Sequence, residues 1–292
     1  MPTSSLADLP IRRLNRRDLQ DCADLSEDRG WPREEHKWGL LLSAGQGYGI
    51  DDPDGGLVSA CVVTEYGPHG RPDLAAIGMV LVARRHARQG VGRRLMRRVI
   101  AERGTTPLTL HATPIGRPLY EELGFKATGG AEMLRGHFTP DGPTPRAATR
   151  VSTRAATAED ISALLRLDGT VFGSDRTHLI TRLPAFADQL RVAEEGGRII
   201  GYAAAWPTVD THVVGPLIAR DTETAKALVA SLATHTDRPL RTDIDVRHTE
   251  LLAWAKERGL ATVAFNAVMT YGIGELPGDW SRRFAPLTVA AG

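Results

Sequence analysis

The chain has 292 residues, enough for two domains of about 140 residues that each bury a core. Charged residues make up 24% and apolar residues 42%, ordinary soluble globular material. A net charge of +1 supplies no global field that would draw the chain to nucleic acid or to an anionic membrane. The cations are thirty-two arginines and only four lysines, a compositional bias whose functional meaning is confined to one arginine-rich loop. Cys22 and Cys61 make no disulfide framework, so reduced thiols and a cytoplasmic compartment are expected. The first residues lack an apolar signal core, and no stretch approaches the roughly eighteen apolar residues of a membrane span.

In chain order, IRRL reads as a short strand, after which Asn15 caps the helix RRDLQDCADLSED with Asp18 at its third position. The next stretch, SEDRGWPREEHKWGLLLSAG, mixes Glu27, Asp28, Trp31, Glu34, Glu35, His36 and Trp38. Carboxylates and indole faces suit a cationic amine. A solvated helix anchored by its two tryptophans accounts for them equally well. QGYGIDDPDGGLVSACVVTEYG alternates as a hairpin around Asp54, Gly55 and Gly56.

The most informative segment follows. The apolar strand IGMVLV leads through ARRHARQGVG into the helix RRLMRRVIAERG, then come a second strand, PLTLHA, and the helix GRPLYEELGF. A strand that delivers a glycine-bearing turn to a helix N-terminus builds an anion site. Gly90 and Gly92 leave the backbone free of Cβ atoms, so N–H groups from Gly90 through Val91 to Arg94 converge on one phosphate. Arg84, Arg85, Arg88, Arg93 and Arg94 supply cations around them.

The second half repeats this order. VSTRAA is a strand, Thr157 caps AEDISALLRLD with Asp160 at the third position, and LRVAEEGGRIIGYAAAWP is a hairpin around Gly196 and Gly197. VVGPLIA leads into the helix DTETAKALVASLATH, and RTDIDVRHTELLAWAKERGL adds a strand and a helix. Two copies of one α/β unit explain the order. The boundaries expected are 1–138 for the first unit, 139–150 for a Pro/Thr/Gly-rich linker and 151–292 for the second. The second copy has no glycine loop, and Asp221 and Glu223 stand where pyrophosphate would sit.

QGVGRRL followed by a strand and LYEELGF resembles the GNAT superfamily of acyl-CoA N-acyltransferases, most closely over Ile77 to Phe125. The order of both halves resembles tandem GNAT proteins in which a working domain precedes a degenerate one. One departure stands out: Ala87 occupies the family's Gln/Arg position, with Arg88 and Gln89 near enough to supply donors instead.

The resemblance implies an α/β fold of two GNAT-like domains, each a mixed, mostly antiparallel sheet flanked by helices. It implies acetyl-CoA as co-substrate, held by the backbone of Val80, Leu81 and Val82, by the loop Arg88, Gln89, Gly90, Val91, Gly92, Arg93 and Arg94, and by a wall of Thr113, Gly116 and Arg117. Tyr120, four residues before Gly124, falls where the family often places a general acid. His111 is a candidate proton relay, although a strand-end histidine is more often structural.

Acceptor candidates are Trp31 and Glu34 in the first half and Asp175 and Arg176 in the second, with Trp206 and Asp210 beside them. The histidines show no metal-ligand spacing. The expected activity is transfer to a primary amine of a small molecule by a monomer or homodimer, without nucleic acid or membrane partners. A protein lysine or N-terminal acetyltransferase and a non-catalytic acyl-CoA sensor are the alternatives.

Overall fold

A computed structural model describes residues 6–140 and 151–292. Most of the expected linker, 141–150, lies outside the described residues. The first half runs β1 (Arg12–Leu14), α1 (Leu19–Asp28), α2 (Glu35–Ala44), β2 (Gln46–Asp51), β3 (Leu57–Tyr66), β4 (Leu74–Val82), α3 (Val91–Arg103), β5 (Leu108–Ala112), α4 (Arg117–Glu122) and β6 (Lys126–Gly136). The second runs β7 (Ser152–Ala155), α5 (Ile161–Phe172), α6 (Thr177–Ile180), α7 (Leu183–Phe186), β8 (Gln189–Glu195), β9 (Arg198–Pro207), β10 (His212–Ala219), α8 (Thr222–Ala233), β11 (Leu240–Asp245), α9 (Thr249–Glu257), β12 (Ala261–Tyr271) and β13 (Arg283–Ala285).

Both capping boxes form. Asn15 N–H donates to Asp18 Oδ2 at 2.7 Å, and Thr157 N–H donates to Asp160 Oδ2 at 2.7 Å, so each half opens its first helix with the same reciprocal device. Arg12 and Arg154 hold the two aspartates from the preceding strands.

The two sheets are one. The strand order is β1-β2-β3-β4-β5-β12-β6-β11-β10-β9-β8-β7, with β13 on β10. The last long strand of each half is thus exchanged: β12 pairs with β5 of the first half, β6 pairs with β11 of the second, and the two lie side by side. Among the described residues only β4 with β5 and β10 with β11 are parallel.

One face of this sheet carries α3 and α4 in the first half and α8 and α9 in the second, each pair over its own apolar cluster. The other face carries α1, α2, α5, α6 and α7 over a single cluster that runs through both halves. Residues 286–292 lie on this second face. A Cβ built on Gly78 would strike Ala290, and one on Gly215 would strike Pro286, so two glycines let this segment rest on the sheet backbone. Trp206 Nε1 donates to Leu287 O at 3.1 Å, and the Tyr66 hydroxyl donates to Ala291 O. Cys22 and Cys61 are free and buried.

Candidate active site

At the junction from β4 to α3, Arg88 and Gly90 both take positive φ, 62° and 78°, which bends the chain so that successive N–H groups point the same way. The first helical hydrogen bond runs from Arg94 N to Gly90 O at 3.0 Å. The N–H groups of Arg88 to Arg93 donate to nothing among the described residues. No atom lies within 4 Å of where a Cβ on Gly90 would stand, so the concavity is open. Gly92 is needed for another reason: its Cβ would press on Val82 Cγ2 at 3.3 Å, closing the helix onto the strand.

The arginines around this turn are less free than the sequence suggests. Arg93 pairs with Glu122, Arg94 donates to the carbonyls of Ala7 and Leu9, Arg85 pairs with Asp52, and Arg84 donates to the Asp28 carbonyl. Gln89 Nε2 donates to Arg85 O at 3.2 Å. Of the five, Arg88 alone has no hydrogen-bond or ion-pair partner among the described residues, so the site relies on backbone N–H groups plus one cation.

β4 and β5 pair only from Ala75 to Ile77 against Leu108 to Leu110, and then part. Leu81 and Val82 remain bonded to β3 on one side and Val80 falls in a bulge, while the β5-facing edge of all three has no ladder partner among the described residues. Met79, at φ 53°, marks the bulge where β4 turns away.

Tyr120 lies beyond this opening on α4. Its ring packs edge-on to Phe125, and its hydroxyl, beside Gly116, has no hydrogen-bond partner among the described residues. Burial raises its pKa, with Cys61 adding to the effect, so the phenol stays protonated and available to donate. Thr113 Oγ1 accepts from Gly116 N at 3.2 Å and shapes the start of α4, while Arg117 pairs with Glu121 on the same helix.

The equivalent junction of the second half is sealed twice. Asp221 caps α8 with its own carboxylate, accepting from Thr224 N at 2.8 Å. β10 and β11 also part, after Val214 and Thr242, but β13 enters the wedge and pairs Leu217 with Ala285 and Ile218 with Arg283.

The expected acceptor residues are scattered in role. Trp31 is 37% exposed. Glu34 is buried at φ 41°, tied to Lys37 of its own helix and 3.6 Å from Arg241 of β11. Asp175 is a turn residue: its side chain accepts from Thr177 N at 2.7 Å and its carbonyl from Gly67 N at 2.8 Å. Arg176 is fully buried on Asp168, with a bidentate pair at 2.7 and 2.8 Å, and Tyr202 donates to the same carboxylate. No hydrogen bond or ion pair joins Trp31 or Glu34 to Asp175 or Arg176. Glu34 and Asp175 do stand where the halves meet.

His111, Ala131, Asp245, Trp280 and Arg283 line a small cavity on the second face, with strands from both halves as its floor. Sequence reasoning passed over Asp245, Trp280 and Arg283, because only the strand exchange brings them beside β5. His111 is half-buried at the surface of the fold, and its pKa is pulled down to about 4, first by desolvation and then by Arg283, so it is neutral. Among the described residues no cluster of His, Cys, Asp and Glu could hold a metal ion, and no helix is long and apolar enough to cross a membrane.

Comparison with known proteins agrees with this geometry. A family model described as an acetyltransferase (GNAT) domain matches residues 64–139, and another of the same description matches 164–285. A Bacillus subtilis (strain 168) protein named uncharacterized N-acetyltransferase YitH is 28% identical over 242 residues, covering 82% of this chain and 83% of that protein. The crystal structure of a candidate acetyltransferase from Pyrococcus horikoshii superposes with a TM-score of 0.82 at 18% identity, covering 100% of this chain and 99% of that one. A tandem GNAT protein from the clavulanic acid biosynthesis pathway gives 0.66 at 14% identity, with 90% and 98% covered.

Proposed function

The chain belongs to the GNAT superfamily of acyltransferases, with two such domains in tandem, and from that premise we propose that it acetylates a primary amine of a small molecule, using acetyl-CoA bound in the first half alone. The observation that carries this reading is the unpaired edge of Val80 to Val82 beside the open N–H turn of Arg88 to Arg93, against a second half in which both features are filled.

Acetyl-CoA supplies an activated thioester; the chain supplies geometry and protons. The N–H groups at the start of α3 and Arg88 receive pyrophosphate oxygens. The free edge of β4 pairs with the pantetheine arm, and one of its N–H groups polarises the thioester carbonyl and stabilises the oxyanion that forms. Tyr120, protonated and unpartnered, donates to the departing thiolate. The acceptor amine approaches from the second face, where α5 to α7 and residues 286–292 narrow the opening left by the first half. That cover favours a small acceptor over a folded protein, and the unpartnered Tyr120 hydroxyl favours an enzyme over a sensor.

A panel of small amines, assayed by thiol release from acetyl-CoA, tests the proposal. Release that depends on one chemical class of amine is expected. Acetylation of peptide lysines or N-termini, with no small amine accepted, would overturn the small-molecule reading.

A further inference from the structure

Resting on the small-molecule reading above, we infer that Arg283 is the receptor for a carboxylate carried by the acceptor, so that the preferred amine belongs to the amino-acid class.

Arg283 is 5% exposed, yet its guanidinium makes no hydrogen bond or ion pair with any described residue. Two aromatic faces hold it instead: its Cζ lies 4.3 Å from the Phe172 ring and 4.3 Å from the Trp280 ring. The guanidinium borders the cavity on the second face that His111 shares, next to the strand from which β4 parts.

The charges around it leave it in excess. Asp168 is committed to Arg176 and to the Tyr202 hydroxyl. Asp245 accepts from Arg247 N at 2.9 Å and from Arg247 Nη1 at 2.9 Å. Arg176 and Arg247 hold these two carboxylates, Arg176 donating also to Gly292 O at 3.2 Å, and His111 is neutral, so no side-chain carboxylate is left for Arg283. Burial, and after it Arg176, pulls the Arg283 pKa down to about 9, the response of a cation that lacks a partner.

A buried, unpaired cation is costly, and a planar guanidinium with its donors free matches a carboxylate. Phe172 and Trp280 fix the plane of the guanidinium, so an anion meets donors already oriented. The cavity has room for about one oxygen atom beyond its lining, roughly 10 Å³, which suits the tip of a carboxylate rather than a whole substrate.

The full-length protein, assayed with acetyl-CoA and free L-amino acids, each beside its carboxamide, tests the inference. The wild type should favour the acids in kcat/KM by about ten-fold or more, the scale of a hydrogen bond to a charged partner. R283Q should raise KM for the acids while leaving the carboxamides and acetyl-CoA binding unchanged, and R283K should restore part of the preference. Calorimetric titration of the same acids and carboxamides into wild type and R283Q decides the point without turnover. If no amine releases thiol, the acetyltransfer reading fails while the titration still reports on the anion site. Equal binding of acids and carboxamides by the wild type would overturn the inference. So would an R283Q that lowers the melting temperature but leaves the acid preference intact, since the guanidinium would then serve only the packing around Gly292, which lies beside it.

Discussion

The junction from β4 to α3 and its counterpart from β10 to α8 are built on one plan and do opposite things. Both follow a strand whose pairing is broken by a bulge, at Met79 in β4 and at Gly215 and Pro216 in β10, and both lead into a helix of about three turns that packs on the same face of the sheet. At the first, the helix opens on Gly90 with its N–H groups unclaimed and the strand edge beyond Ile77 is free. At the second, Asp221 satisfies the helix N-terminus from within and β13 occupies the strand edge. On the proposed reading a ligand site is lost without loss of fold, because the seal supplies the same hydrogen bonds that the ligand would.

Copying the seal into the open junction should give the largest effect. Gly90→Asp places at the first residue before α3 the carboxylate that Asp221 places before α8. Space is open there, and although φ 78° strains any side chain, aspartate is among those found there most often. Acetyl-CoA affinity should fall by about 10²-fold or more, as several charge-assisted hydrogen bonds to phosphate are replaced by an internal cap. Calorimetry on the folded variant reads this, and unchanged affinity would show that the turn is not the phosphate site.

Tyr120→Phe sharpens the comparison at the chemical step. Turnover should drop by about 10²-fold while acetyl-CoA affinity stays, the usual scale for losing a positioned acid. Equal turnover would leave Tyr120 as a packing residue on Phe125.

His111 tests how dry the second face is near the open junction. Its folded pKa of about 4 lies below the ordinary 6.5, so the unfolded chain takes up the proton first as pH falls. Its share of stability is complete above about pH 6.5 and is lost toward pH 4, at about 1.4 kcal/mol per unit in that window. Denaturant melts of His111→Gln should show a shallower acid slope than wild type; identical slopes would mean that the ring is hydrated.

The smallest effect should come from opening the sealed junction. Asp221→Ala removes one cap and should cost about 1 kcal/mol by urea denaturation. It should not create a second acetyl-CoA site, because β13 still covers the strand edge. Binding of a second equivalent by this variant would show that the cap alone is the seal.

What was legible in the sequence was local. The capping pairs Asn15 with Asp18 and Thr157 with Asp160 declare themselves at a spacing of three, and the glycines of the α3 turn do the same within a few residues. The strand exchange was not legible, since nothing in KATGGAEMLRG or ATVAFNAVMTY states which half each strand will join. Nor were the partners of charged residues. Arg93 and Arg94 read as phosphate ligands but are held by Glu122 and by the carbonyls of Ala7 and Leu9, while Arg176 reads as a surface acceptor residue but is buried on Asp168. The partners of Arg93 and Arg94 lie tens of residues away, that of Arg176 only eight but on a neighbouring element, and the position of Arg283 beside β5's face of the sheet is likewise set by tertiary contacts.

The asymmetry of the two junctions is tested most directly by the number of acetyl-CoA molecules bound per chain. Calorimetric titration of the intact protein should reach saturation at one equivalent, with that single site lost in Gly90→Asp and kept in Asp221→Ala. Two equivalents, or one that survives Gly90→Asp, would contradict the assignment of cofactor binding to the first half alone.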